Sequence, residues 1–313
     1  MAKKKKGASA TEFVQIHGRW TFSGTAATYV QPDERGSPVG VCLAPSRLRS
    51  GVLSVTAKLH DLASAARIVL GFNAATGSYY SIGLGGYDFA YVTDAFTPGA
   101  GWKALQARGS KSQLSIGRNY QLQVDVRGQR VSLTVDGVRV LDEKLFAPLQ
   151  GDQVGLFAWG TARVEFDHFS LAADEPRLFV VMQFGEPYDS LYKEVIRPVS
   201  EAVGFKAFRA DDVFRPGVIL QDIRRGIVES EAIVAEITPV NANVFYELGY
   251  AHALDKPTIL LANRNVEKLP FDISGYRVIF YDDTIRGKRD IEATLRKHLE
   301  SIRSGQVNGR GHS

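Results

Sequence analysis

The hydrophobic pattern changes period once along this chain, and that change limits the fold more than any single motif. Up to about Ala172 apolar residues tend to alternate with polar ones; after Pro176 they come in runs separated by helical stripes. Alternation with period two suits strands that bury one face, and continuous apolar runs suit strands covered on both faces. The stretch Ala172-Ala173-Asp174-Glu175-Pro176 marks the break, so residues 173–176 are expected to link two domains at 11–172 and 177–304. With 313 residues, both have room for a core of their own. Residues 1–10 and 305–313 are expected to be disordered tails.

The formal charge of +4 is no larger than the run Lys3–Lys6 supplies, and such a run is a solvated tail unless a partner is shown. Net charge therefore gives no indication of a nucleic-acid partner. One cysteine, Cys42, cannot form an intrachain disulfide, which suits a reducing, cytoplasmic setting. No run is long enough to span a membrane, and no apolar segment follows the lysines to make a signal peptide. No grouping of His, Cys and acids has metal spacing, and no nucleophilic triad is suggested, so neither a metal nor a cofactor is expected.

In the first half, Tyr120–Val126 alternates as a half-buried strand should. Val131–Val135, then Asp136-Gly137, then Val138–Val140 is a hairpin with a two-residue turn. Gly155–Trp159 and Arg163–Asp167 are expected to pair around Gly160. No helical period is present, which points to an all-β jelly-roll sandwich. Gly18-Arg19-Trp20, the Val131–Val140 hairpin and the closing Gly155–Trp159 and Val164–Phe169 resemble the concanavalin-like superfamily, especially laminin-G-like and glycosidase-associated jelly rolls. The resemblance implies a binding or assembly module. Some glycosidases of this fold carry Glu-x-Asp-x-x-Glu on one strand; here Glu165 and Asp167 are followed by Ser170, so the acid and nucleophile pair is incomplete. The segment reads as an outward polar face. Tyr79, Tyr80, Tyr87, Tyr91 and Trp102 can either stack on sugars or pack inside the sandwich.

The second half alternates strand and helix. Strands are expected at Arg177–Met182, Phe205–Phe208, Ala232–Ile237, Thr258–Leu261 and Arg277–Phe280. Helices are expected at Asp189–Val203, broken or kinked at Pro198, at Gly217–Glu229 with Ile219, Leu220, Ile223 and Ile227 inward, after Asn243, and at Asp290–Ile302. That order means a five-stranded parallel flavodoxin-like sheet with helices on both faces. Its switch point, where open α/β sheets bind ligands, falls between the loops Gln183–Tyr188 and Thr238–Asn243. Glu247 lies beside both, near the first turn of its helix.

Val234–Thr238, Asn243–Leu254, Lys256-Pro257 and Leu269–Ile273 resemble the prokaryotic TIR-like effectors, relatives of the nucleoside deoxyribosyltransferases, over about 177–285. Glu236 departs from the aspartate usual at the third strand's end, and Ala242 from a common proline. The resemblance implies a TIR-like fold and cleavage of an N-glycosidic bond with NAD⁺ as favoured substrate. It also implies a homo-oligomer that completes the pocket, an unidentified activating ligand, and a role in antiphage or stress defence. Glu247 would be the catalytic carboxylate, stabilising or capturing an oxocarbenium-like sugar. A deoxyribosyltransferase or nucleosidase acting on a neutral base, and a non-catalytic nucleotide- or glycan-binding module, are the alternatives.

Around Glu247 stand further candidates. Asn243 is expected to cap the helix and can touch ligand. Phe184 can stack on a base, and Gly185 lets backbone approach a phosphate. Asp211 or Asp212 can protonate a leaving nitrogen, and Arg215 can pair with phosphate. Tyr246 either lines the pocket or packs, and His252, off the Glu247 face, is structural.

Overall fold

The computed structural model describes residues 6–7, 12–31, 36–212, 219–265, 273 and 276–303. The chain divides into two compact units, Met1–Leu145 with Leu149–Asp174, and Glu175 onward with Phe146–Pro148. Among the described residues the first unit holds two antiparallel sheets and the second a five-stranded parallel sheet.

One antiparallel sheet runs, edge to edge, Val138–Lys144, Arg130–Val135, Asn119–Arg127, Gly51–Leu59, Val164–Ala173, Ala26–Gln31 and Arg19–Ser23. Lys6–Gly7, within the segment expected to be a tail, pairs with Leu171 and Ser170 of this sheet. The other runs Gly101–Ser110, Phe89–Thr97, Tyr79–Gly86, Ala65–Phe72, Gln153–Trp159, Val39–Arg47 and Val14–His17. Alternate residues such as Leu53, Val55, Ala57 and Leu59 are buried while Ser54, Thr56 and Lys58 are half-exposed, as period two requires. The Asp136-Gly137 turn takes positive φ at both positions, +49° and +83°, and pairs Val135 with Val138. That is the type I′ geometry the sequence asks for.

One expected pairing is corrected. Gln153–Trp159 and Val164–Ala173 lie in different sheets and do not pair. Gly160 turns the chain from one sheet to the other: its φ is +121°, and a Cβ there would come within 2.7 Å of Ser64. The Gly160 amide donates to the Pro38 carbonyl at 2.9 Å, and its carbonyl accepts from the Tyr29 hydroxyl at 3.0 Å. A hairpin turn would leave those groups without these partners.

In the second unit the strands are β1 (Arg177–Val181), β2 (Lys206–Phe208), β3 (Ala232–Glu236), β4 (Thr258–Asn263) and β5 (Val278–Tyr281). They order as β2-β1-β3-β4-β5, all parallel, so the expected order and switch point are those observed. Alternate residues of each strand feed two cores. Val180, Val234 and Leu261 pack with Val195, Val199 and Leu295 on one side; Phe179, Ile233 and Leu260 pack with Ile227, Val244 and Leu248 on the other. The helix before β2 begins as Tyr188–Leu191, passes through a π turn at Tyr192–Ile196 and resumes at Arg197–Val203. Pro198, which lacks an N–H, stands at the start of that last segment, as the expected break requires.

The remaining helices are α1 (Ile219–Glu229), α2 (Ala242–Ala253) and α3 (Ile285–Arg303). Leu220, expected inward, is 42% exposed, because the inward stripe of α1 runs through Ile223 and Ile227; the Ile219 side chain lies outside the described residues. Helix α3 starts five residues before the expected Asp290, where the Thr284 hydroxyl accepts from the Gly287 amide at 3.0 Å. Among the described residues no helix is long and apolar enough to cross a membrane.

Helix α1 lies close on the sheet because Gly226 faces it; a Cβ there would sit 2.8 Å from the buried Phe179 ring and 3.3 Å from Phe208. Gly226→Ala is therefore expected to lower stability by about 1–3 kcal/mol, despite alanine's better helix propensity. Urea unfolding followed by far-ultraviolet circular dichroism measures it.

Candidate functional site at the carboxyl edge of the parallel sheet

The carboxyl ends of β1 and β3 lead into two loops that a hydrogen bond joins: the Asn241 side-chain amide donates to Gln183 Oε1 at 3.4 Å. Asn241 is the N-cap of α2, with extended backbone (φ −128°, ψ 123°) and a side-chain oxygen that accepts from the Asn243 amide at 2.9 Å. The expected cap, Asn243, is instead the second residue of the helix and is exposed. An Asx turn by the earlier asparagine satisfies the free amide, so the helix starts two residues sooner.

That shift moves Glu247 from the first turn to the second. It is half-buried, and among the described residues its carboxylate has no hydrogen bond or ion pair. Burial alone pushes its acid up to about 7. The helix N-terminus, whose influence fades within the first turn, does little to oppose this. Tyr246 beside it is 51% exposed and does not pack into the core.

Beneath the loop, Glu236 is buried at 1% exposure. It accepts from the Thr238 amide at 3.0 Å, from the Thr238 hydroxyl, and from the Tyr281 hydroxyl at 3.0 Å. The Thr238 hydroxyl in turn accepts from the Asn263 amide at 3.0 Å. Three strand ends are thereby tied by one carboxyl. Burial drives that acid up to about 7, although its hydrogen bonds work the other way. The Tyr188 phenol is raised by burial and by the charge of Glu236.

Across the switch point, Asp211 and Asp212 are committed rather than free. Both oxygens of Asp211 accept from the Arg209 guanidinium, at 3.0 and 2.6 Å. Asp212 Oδ2 accepts from the Tyr192 hydroxyl at 2.6 Å and the Arg209 amide at 2.9 Å. Phe184 is 54% exposed, and Gly185 takes φ +92° with no atom within 4 Å of a Cβ position. Arg215 lies outside the described residues. His252 stacks on Tyr276, ring centres 4.4 Å apart, in keeping with its structural reading. Arg209 was not singled out by sequence; the only signal was an arginine two residues before an acidic pair. Among the described residues no group of His, Cys and acids could hold a metal.

The first unit has a groove of its own, with about 510 Å³ of open space, lined by Thr56, Lys58, Asn119, Gln121, Glu165 and Asp167 among others. A bulge between Asp167 and Ser170 keeps both on the half-exposed face, so Ser170 stands where a third carboxylate would be. Burial would raise the Glu165 acid, but Lys58, Arg163 and His60 hold it below its usual range. Tyr79 and Tyr80 are core residues, and Trp102 packs on Tyr79, Phe96 and Phe157.

No protein-family model matches the sequence, and no curated protein matches it. Similar solved structures include a carbohydrate binding module, CBM66 from Bacillus subtilis, at 14% identity and TM-score 0.45, covering 53% of this chain and 98% of that one. A Bacillus licheniformis beta-glucanase is 10% identical with TM-score 0.38, covering 52% and 92%. Caenorhabditis elegans galectin LEC-6 is 15% identical with TM-score 0.32, covering 46% and 94%. Likenesses this distant carry no argument about activity.

The buried acids set a direction of pH dependence. A carboxyl whose folded value lies above its ordinary 4.5 contributes stability fully at low pH and loses it as pH rises through about 7. The melting temperature of the second unit is expected to fall between about pH 4.5 and pH 7 and to level off above that, and Glu236→Gln to flatten that slope. Calorimetry across the range reads both.

Proposed function

We propose that the second unit hydrolyses the N-glycosidic bond of a ribosyl compound, with NAD⁺ as substrate and Glu247 as the carboxylate beside the reacting sugar. One observation carries the reading: a half-buried carboxylate at the switch point with no counter-charge and no donor among the described residues. A surface acid would be solvated and a structural one would be paired, as Glu236 is. An unpaired acid in a ligand crevice is a functional candidate because its charge is offset only when a cation is beside it. The oxocarbenium-like sugar is such a cation.

In the proposed reaction the bond between ribose C1′ and the pyridinium nitrogen breaks. Its electron pair passes to the ring, which leaves as neutral nicotinamide. Ionised Glu247 either stabilises C1′ or bonds to it as an ester that water then displaces, returning the carboxylate; the water oxygen bonds to C1′ and its proton passes to solvent, leaving ADP-ribose. No acid is needed for a leaving group that departs from a cationic ring. A neutral nucleoside base would need one, and Asp211 and Asp212 are already held by Arg209 and Tyr192. That difference favours NAD⁺ over a nucleoside.

A second reading belongs to the first unit. The groove around Lys58, Asn119, Gln121 and Asp167 mixes donors with acceptors and suits a hydroxyl-rich ligand such as a glycan. Glu165, paired with cations on several sides, suits binding there and not acid catalysis. Gln121→Ala is expected to weaken capture on a glycan array, if a glycan is the ligand; an array with no bound glycan contradicts this reading.

The hydrolysis reading is tested by incubating the purified protein with NAD⁺ and a panel of nucleosides and resolving products by chromatography. Free nicotinamide is expected, with kcat/KM rising as pH passes through about 7 because Glu247 must be ionised. Glu247→Gln is expected to lose at least about a hundredfold and the pH limb with it. Undiminished turnover by that variant overturns the proposal.

A further inference from the structure

Arg209 follows β2 directly, and the residue is buried at 4% exposure. Each of its three guanidinium nitrogens donates to a neighbouring carboxylate: two to Asp211, and one to Asp189 Oδ1 at 2.7 Å from the residues after β1. Asp189 is held below the usual carboxylate range by its bond to Arg209. The arginine is therefore occupied and is poorly placed to take a phosphate. What it does instead is tie the segment after β2 to the start of the helix that follows β1.

The same guanidinium lies over two rings, 4.6 Å from the centre of Tyr192 and 5.2 Å from that of Phe184. Tyr192 is buried, as a ring packed in a core should be. Phe184 is not: a cation is stacked on one face, and 54% of the residue remains in solvent. Leaving a phenyl group wet forfeits burial that a core position would provide. Fixing it by a buried arginine that two carboxylates hold gives an apolar surface with a set orientation at the ligand crevice. Gly185, the next residue, takes a left-handed φ of +92° that favours glycine.

We infer that Phe184 is a stacking platform for the neutral base of a dinucleotide, and that Arg209 is the positioning residue that holds the platform in place. This rests on the N-ribosyl reading above. The neutral base, adenine in NAD⁺, is assigned in preference to the pyridinium because the ring already carries a cation on one face. A second cation on the opposite face would compete for the same π electrons.

The test uses the full chain and compares NAD⁺ with nicotinamide mononucleotide, which lacks the adenine. Phe184→Leu and Arg209→Met are expected to raise KM for NAD⁺ about tenfold, the scale of one lost base stack, and to leave KM for the mononucleotide unchanged. Phe184→Trp restores the NAD⁺ value. Should Arg209→Met fail to fold, the exposed Phe184→Leu still decides the matter. An unchanged KM for NAD⁺ in Phe184→Leu, or an equal loss with both substrates, overturns the inference.

A readout without turnover separates this from the hydrolysis proposal. Phe184→Trp in the Glu247→Gln background is expected to lose fluorescence on adding AMP, but not ribose 5-phosphate, relative to Glu247→Gln alone. Quenching by AMP, together with no NAD⁺ cleavage by the unsubstituted chain, supports the platform and defeats the hydrolysis. Cleavage without quenching defeats the platform alone.

Discussion

A parallel sheet covered on both faces has one place for its polar chemistry, the edge where its strands end. In the second unit both faces of every strand are committed to apolar cores, one under α1 and α2 and one under α3 and the helix that precedes β2. The charged and hydroxyl groups are consequently gathered at the carboxyl ends. Glu236 ties three strand ends, Arg209 ties the loops after β1 and β2, and Asn241 ties the loop after β3 to Gln183. These tethers fix the carboxyl edge of the sheet. Among the described residues, Glu247 is the acid that they leave without a partner.

The contrast between the two buried glutamates explains why one is structural and the other a candidate for chemistry. Both are raised to about 7 by burial. Glu236 recovers part of that cost from an amide and two hydroxyls, and its removal would leave those donors unsatisfied. Glu247 recovers none of it within the described residues. An acid held in that state costs stability once ionised, and such a cost at the mouth of a ligand crevice is what functional sites show.

Much of this architecture was legible in the sequence, for reasons that differ by element. The order of the parallel sheet followed from strict alternation, and the Asp136-Gly137 hairpin from turn residues that accept positive φ. What escaped was set by contacts distant in sequence. Gly160 looked like a hairpin turn because nothing local reveals that Ser64 and Pro38 await it in another part of the sandwich. The cap fell on Asn241 and not Asn243 because both asparagines fit, and only the tether to Gln183 distinguishes them. Asp211 and Asp212 read as available acids until Arg209 was seen to occupy them; a buried arginine between two loops leaves no periodic trace. The bulge between Asp167 and Ser170 likewise leaves no mark in the alternation of that strand.

The central claim is that the Glu247 carboxyl is desolvated and unpaired, and its own titration tests that most directly. The side-chain carboxyl carbon of Glu247 can be followed by NMR across the pH range, assigned by comparison with Glu247→Gln. A midpoint near 7 is expected. A midpoint near the ordinary 4.5 would show a solvated or partnered acid, and the account of the site would fall with it.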